Sequence, residues 1–219
     1  MTHANAVPKE KERNAARSRE DILDAAERLF AQRGYEGTSL SDVGRAAGLS
    51  RATPGYFFGS KADLLGAVLE RCFEEVRQAV REGRDRALAS GQPSAVILAA
   101  AVSDYIDFVA ARPNFVRLIQ REALGGRPLD ALPLGLTAGR EMMAALTAEL
   151  GLEDEDPAEV SQMLFSLIAL VWFPHLQGNT LSRVMGLDTT SEEFLARRKK
   201  HITELFMGWL AARQTAAAR

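Results

Sequence analysis

Arg45, Arg51 and Lys61 stand in a stretch that holds no acid between Asp42 and Asp63. Basic side chains gathered in an acid-free segment attract phosphate, because local charge, not net charge, is what a polyanion meets. The side-chain sets that catalysis needs do not assemble in the same way. His3, His175 and His201 are scattered, and Cys72 has no histidine near it in sequence. No glycine-rich loop follows a strand, and the carboxylates read as helix caps and solvated faces. No metal site, cofactor or catalytic residue is expected.

What must position those cations is the segment Ser39–Lys61, SLSDVGRAAGLSRATPGYFFGSK. Leu40, Val43 and Ala47 recur at helical spacing and give a first short helix one apolar face, while Gly44 leaves room for a second helix to cross closely. Gly48 ends the first helix, since glycine enters the left-handed conformation without a Cβ penalty, and Leu49 plugs the corner. Ser50 restarts the helix, with Thr53 three residues on and Phe57 and Phe58 behind. Pro54 falls in the first turn, where a missing N–H costs little. This is helix-turn-helix grammar, and it points to DNA.

From Ile22 to Leu65 the chain resembles the TetR-type (TetR/AcrR) transcriptional regulators. AAERLF, RGYEGTS, AAGLS, YFF and SKADLL follow in that family's order and spacing. The resemblance implies that Ser39 and Ser41 meet phosphate or a base edge and that Arg51, Thr53, Gly55, Tyr56 and Phe57 occupy groove-facing positions. Lys61 would hold a phosphate. Gly55 stands where an aromatic is usual, Pro54 where leucine or isoleucine is usual, and Gly44 where alanine is usual.

Across 219 residues, 47% hydrophobic and 26% charged, the composition is that of an ordinary globular protein. The formal net charge of −2 divides unevenly: up to Lys61 there are 10 Lys+Arg against 8 Asp+Glu, and after it 17 against 21. No signal peptide is apparent, and the apolar run Met163–Phe173 is too short to span a bilayer, so the expected location is the cytoplasm without a membrane partner. Cys72, on an apolar helical face, is expected to be buried and inert.

The expected fold is all-α: an N-terminal three-helix DNA-binding domain with a helix-turn-helix, then a C-terminal helical bundle for effector binding and dimerisation. Residues 1–17 read as a flexible arm, 18–64 as the DNA-binding domain with its helix-turn-helix at 39–58, 65–214 as the bundle, and 215–219 as a flexible tail. Ser18 with Asp21 suggests a helix start before the stripe Ile22, Ala25, Ala26, Leu29, Phe30, and Ser60 with Asp63 opens a long helix that enters the bundle. Gly83 is a candidate weak point in it, since glycine inside a helix costs about 1 kcal/mol relative to alanine. Further helices are expected over 94–111, 114–124 and 136–150, with Gly125–Pro128 as a loop. Asp156 and Pro157 open another helix that stops at Pro174, and Ser191 and Glu192 open the last.

Flexible methionines and amphipathic aromatics suit an adaptable apolar pocket, as they suit a core. With the resemblance, Tyr105, Phe108, Phe115, Met142, Met143, Phe165, Trp172 and His175 are the effector-binding candidates. The helix MLFSLIALVWF is apolar on nearly every side and, with the last helix, is expected to form a four-helix interface with a second copy through Leu167, Val171, Ile202, Phe206 and Trp209. The reading is a homodimeric repressor released from an inverted-repeat operator in double-stranded DNA by a small, largely apolar effector. Two alternatives are a helix-turn-helix regulator that acts through a protein partner without a small-molecule effector, and an all-α enzyme acting on an apolar substrate.

Overall fold

The computed structural model describes residues 7–91, 94–124, 140, 143–144, 147–148 and 152–217. The helices are α1 (Val7–Arg33), α2 (Leu40–Ala46), α3 (Thr53–Phe58), α4 (Lys61–Ala89), α5 (Ser94–Ala111), α6 (Pro113–Leu124), α7 (Pro157–Gln177), α8 (Leu181–Val184) and α9 (Glu192–Ala217). No strand occurs among the described residues. Arg140, Met143, Ala144, Thr147 and Ala148 are helical; the rest of the helix expected at 136–150, the Gly125–Pro128 loop and Met142 lie outside the described residues.

Two compact units emerge, one from Met1–Cys72 with Arg117–Ala138 and the other from Phe73–Val116 with Gly139–Arg219. The expected division at residue 64 is therefore too early. The first turns of α4 belong with the DNA-binding module because Leu64, Leu65, Val68, Leu69 and Cys72 are buried alongside the stripe Ile22, Ala25, Ala26, Leu29 and Phe30. Ser60 caps α4 as its spacing suggested: its Oγ accepts from Asp63 N at 3.1 Å, and Asp63 Oδ2 accepts in return from the Ser60 backbone N–H at 3.3 Å.

Helix α1 corrects the expected arm. It starts at Val7, not Ser18, so residues 7–17 are helical although residues 12–17 are exposed. Lys9 to Arg13 are good helix formers with no breaker between them and Ile22, and each residue added to an existing nucleus gains a bond cheaply. The tail is corrected likewise, since α9 runs on through Thr215–Ala217.

In the second unit, α7 is opened by Asp156, whose Oδ1 accepts from Ala158 N at 3.0 Å, followed by Pro157. It does not stop at Pro174 but passes through it to Gln177. Proline 174 has no N–H for the carbonyl of Leu170, and that carbonyl accepts instead from Arg198 Nη2 of α9 at 2.6 Å. A borrowed guanidinium donor thus replaces the missing backbone bond and lets the helix continue. By length and composition α7 could cross a membrane. Here Val160, Met163, Leu164, Leu167 and Val171 are buried, which makes one face of it core.

Gly83, the candidate weak point, lies inside α4. Helix α4 continues unbroken through it, and a Cβ built there would lie 2.9 Å from Ala100 O and 3.0 Å from Ala101 Cα. The glycine lets the backbones of α4 and α5 approach closely.

Candidate nucleic-acid interface and bundle interior

Helix α2 is held at its start by a capping box: Asp42 N donates to Ser39 Oγ at 3.1 Å and Ser39 Oγ donates to Asp42 Oδ2 at 2.6 Å. That hydroxyl bond, first among its causes, holds the Asp42 carboxyl below the usual range. The signal was legible, since Ser39 and Asp42 share the spacing read correctly at Ser60 and Asp63. Gly48 closes the helix at φ +70°. Gly44 is where α3 crosses: a Cβ there would come within 2.6 Å of Ser50 O and 3.2 Å of Pro54 Cδ. The second helix begins at Thr53, later than expected, because the Ser50 hydroxyl is 2.7 Å from Thr53 Oγ1 and Ala52 takes the N-cap position with no side-chain cap bond. Pro54 sits in the first turn, buried, as the sequence suggested.

This scaffold presents Tyr56 to solvent with 87% of its surface exposed, against a helix in which Pro54 is buried. Arg51 is exposed in the preceding turn, and among the described residues it pairs with no acid; Arg45 is bonded to Asp42 at 3.0 Å. Phe57 braces Tyr56 edge-on at 5.5 Å, and Phe58 lies beneath the Arg19 guanidinium at 5.2 Å. Ser41, Thr53, Gly55 and Phe57 are half-buried, whereas Ser39 is exposed.

Lys61 is more committed than its sequence position implies. Its Nζ donates to Tyr35 O at 2.9 Å, lies 4.1 Å from the centre of the Tyr35 ring, and is 4.0 Å from Glu36 Oε2. It shares an open hollow of about 390 Å³ with Thr38, Ser39 and Asp42. Ser39 and Lys61, two of the residues expected at phosphate, are therefore brought together, and Ser41 does not line the hollow.

Within the second unit, four of the effector candidates converge. Phe115 is buried with its ring 5.5 Å from Trp172 and 6.1 Å from Phe108, and Phe73, which sequence reasoning left out, packs on it edge-on at 6.1 Å. Trp172 Nε1 donates to Tyr105 Oη at 2.7 Å, and burial pushes the Tyr105 hydroxyl well above its ordinary range. A void of about 20 Å³ lies among Val80, Val102, Tyr105, Leu164, Leu167 and Ile168. His175 and Met143 are half-buried, and burial lowers the His175 pKa. Phe165 does not join the set: it is 73% exposed.

Of the interface candidates, Leu167, Val171, Ile202 and Phe206 are mostly covered within one chain. Trp209 is half-buried and stacked on Phe206 at 6.1 Å. The outward stripe of α7 is Phe165, Ala169 and Phe173, all exposed at spacings of four, and Leu205 is exposed on α9. A groove of about 310 Å³ runs between the two helices, and the interface candidates Leu167, Ile202, Phe206 and Trp209 line it together with Met163 and Leu170.

Residues 22–68 match the family described as bacterial regulatory proteins, tetR family. The HTH-type transcriptional regulator AcrR of Shigella flexneri is 41% identical over 56 residues, 26% of this chain and 26% of AcrR. The chain spans between about a quarter and just over half the length of the curated relatives it matches. In fold, FadR, a fatty acid degradation regulator from Bacillus halodurans, has a TM-score of 0.68 at 18% identity, covering 87% of this chain and 95% of that one. FadR from Bacillus subtilis, solved with stearoyl-CoA, has a TM-score of 0.61 at 17% identity, covering 86% and 97%. Residues 22–68, with their helix-turn-helix between residues 39 and 58, are therefore similar to the tetR family of bacterial regulatory proteins, and the all-helical described elements share the fold of these solved regulators.

Proposed function

We propose that this protein is a homodimeric repressor that reads an inverted-repeat operator with α3 and leaves it when a small, largely apolar effector enters the bundle of its second unit. The observation that carries the reading is the exposure of Tyr56 on a short helix held by Gly44, Pro54 and Phe57, with Arg51 exposed in the turn just before it. A fixed helix with a phenol facing solvent and a guanidinium beside its start can address base edges and phosphates in the major groove. Its place of action is the cytoplasm, where the chromosome is. Dimerisation through Phe165, Ala169, Phe173 and Leu205 would bury an apolar stripe that one chain leaves in water.

The effector reading rests on the aromatic cluster around Phe115. The void beside it, about 20 Å³, has room for about one water molecule. An effector therefore has to part the helices to enter, and parting them is what a release mechanism requires. The stearoyl-CoA held by the Bacillus subtilis relative makes a long acyl chain the first compound to try.

Selecting bound sequences from a random duplex pool tests the central claim. The expected product is a pair of inverted half-sites bound by a dimer, with half-site centres about one helical turn or more apart. Enrichment of no sequence, or of a single unpaired site bound by a monomer, would defeat the reading. Adding stearoyl-CoA is expected to raise the melting temperature and weaken operator binding. Unchanged melting across a series of apolar ligands would favour a protein partner over an effector.

A further inference from the structure

One side chain of α4 holds three acids of α1. Arg71 Nη1 donates to Asp24 Oδ1 at 2.7 Å and to Glu20 Oε2 at 3.3 Å, and its Nη2 donates to Glu27 Oε2 at 2.9 Å. Glu20, Asp24 and Glu27 are spaced by four and three residues, so they form one stripe along α1. Glu27 is buried and Arg71 largely so, which sets this network apart from an ordinary surface pair. Ten residues earlier on α4, about 15 Å along its axis, Lys61 is fixed to Tyr35 O beyond the other end of α1. Two anchors so far apart fix both the position and the direction of α4 against α1. One residue from Glu20, Arg19 lies over the ring of Phe58, the last residue of α3. A continuous path therefore leads from the reading helix through Arg19 and Glu20 to Arg71, and α4 continues unbroken from there to Ala89.

We infer that Arg71 is a positioning residue for operator recognition: its fork onto Glu20, Asp24 and Glu27 makes α1 and α4 one rigid body, and that rigidity fixes the half-site spacing the dimer accepts. The inference rests on the dimeric DNA-binding reading above. A planar guanidinium can reach three carboxylates from a fixed orientation, which a lysine ammonium on a flexible stem does not reproduce. If the fork is released, α1 and the reading helix attached to it can pivot on the Lys61 anchor.

The test uses the full-length protein and the operator obtained by selection, together with versions in which one base pair is added or removed between the half-sites. Each base pair moves a half-site by about 3.4 Å and turns it by about 34°. The wild type is expected to reject both altered spacings. Arg71→Ala is expected to lose affinity for the native spacing and to reject the altered ones at least about fivefold less strongly. Because that variant leaves Glu27 buried without the Arg71 cation, Glu20→Ala with Asp24→Ala is the companion: it removes two exposed partners, keeps the Arg71–Glu27 bond, and should relax the spacing in the same direction by less. A variant that merely weakened the fold would lower affinity for every spacing by one common factor. An unchanged ratio of affinities in both variants, with the companion folded by circular dichroism, would overturn the clamp while leaving the regulator reading intact. A wild type that accepts all three spacings equally would also overturn it. A wild type that enriches no inverted repeat would overturn the reading and the clamp together.

Discussion

Lys61→Ala separates two roles that one ammonium can hold at once. Its hydrogen bond to Tyr35 O at 2.9 Å is charge-assisted, a class worth about 1.5–3 kcal/mol when buried. The side chain is 25% exposed, so water takes back part of that, and about 1 kcal/mol is a fair share. The Tyr35 ring at 4.1 Å adds about 0.5 kcal/mol. Glu36, 4.0 Å away and 83% exposed, adds nothing worth counting. Loss of the side chain should therefore destabilise the protein by about 1–2 kcal/mol, a fall in melting temperature of roughly 2–8 °C for a chain of this size. The ammonium has three donors, and the hollow it shares with Ser39 is open, so a phosphate can be held as well. If it is, each lost contact lowers the slope of log affinity against log salt by about 0.9, and all sequences weaken alike. Fluorescence anisotropy over a salt series from about 50 to 200 mM, with parallel thermal melts, reads both quantities. An unchanged salt slope with a lowered melting temperature would make Lys61 an internal strut and refute the phosphate contact.

Tyr56→Ala should shift stability by no more than about 1 kcal/mol, the worth of its edge contact with Phe57, as thermal melts would show, while Arg51→Ala should cost about 1–3 kcal/mol of operator affinity and relax one base position, as operator titration and a repeated duplex selection would show. Gly83→Ala gains about 1 kcal/mol of helix propensity but places a methyl within 2.9 Å of a backbone carbonyl, so a net loss of stability and no selective change in effector response are expected from melts and titrations. Arg198→Met should free the Leu170 carbonyl and destabilise α7 by about 1–3 kcal/mol, whereas Pro174→Ala in the same background should recover part of it by restoring the backbone N–H; denaturant titrations of both variants give the comparison. His175 has a folded pKa below its ordinary value of 6.5, so below that pH the unfolded state binds more protons and stability falls as the solution is acidified; His175→Gln should flatten that part of the stability–pH curve.

The DNA-binding module was legible because its signals are local. A glycine that must turn left-handed, a proline confined to a first turn, and Ser-x-x-Asp at Ser60 each act over three or four residues, and the chain obeys them. Two local signals misled. Ser18 with Asp21 has a helix-start pattern, yet it lies inside α1, because a capping pattern is realised only where the preceding residues leave the helix, and Lys9 to Arg13 do not. Pro174 should have ended α7, and it does not because Arg198, 24 positions later, supplies the donor that proline lacks. The partner of an orphaned carbonyl cannot be read from the helix that orphans it.

The bundle was less legible for a reason that also bears on how it works. Leu167 and Phe165 lie two positions apart on one helix and differ little in hydrophobicity, yet one is 6% exposed and the other 73%. Hydropathy fixes that both faces avoid water; which face the chain covers itself depends on where α5 and α9 lie. The exposed apolar stripe and the core stripe therefore back onto one another across the width of α7. A ligand that moves Leu164 or Leu167 by entering beside them displaces the same helix that carries Phe165 and Phe173 outward. Packed interiors have little slack, so such a displacement is passed on and not absorbed. In the dimer proposed here, effector entry and the geometry between the two chains would be coupled through α7. A substitution such as Ala169→Leu, which touches neither DNA nor effector, should then alter both dimer affinity and effector response; sedimentation and operator titration with stearoyl-CoA would show them changing together, and a change in one alone would mean that α7 does not link them.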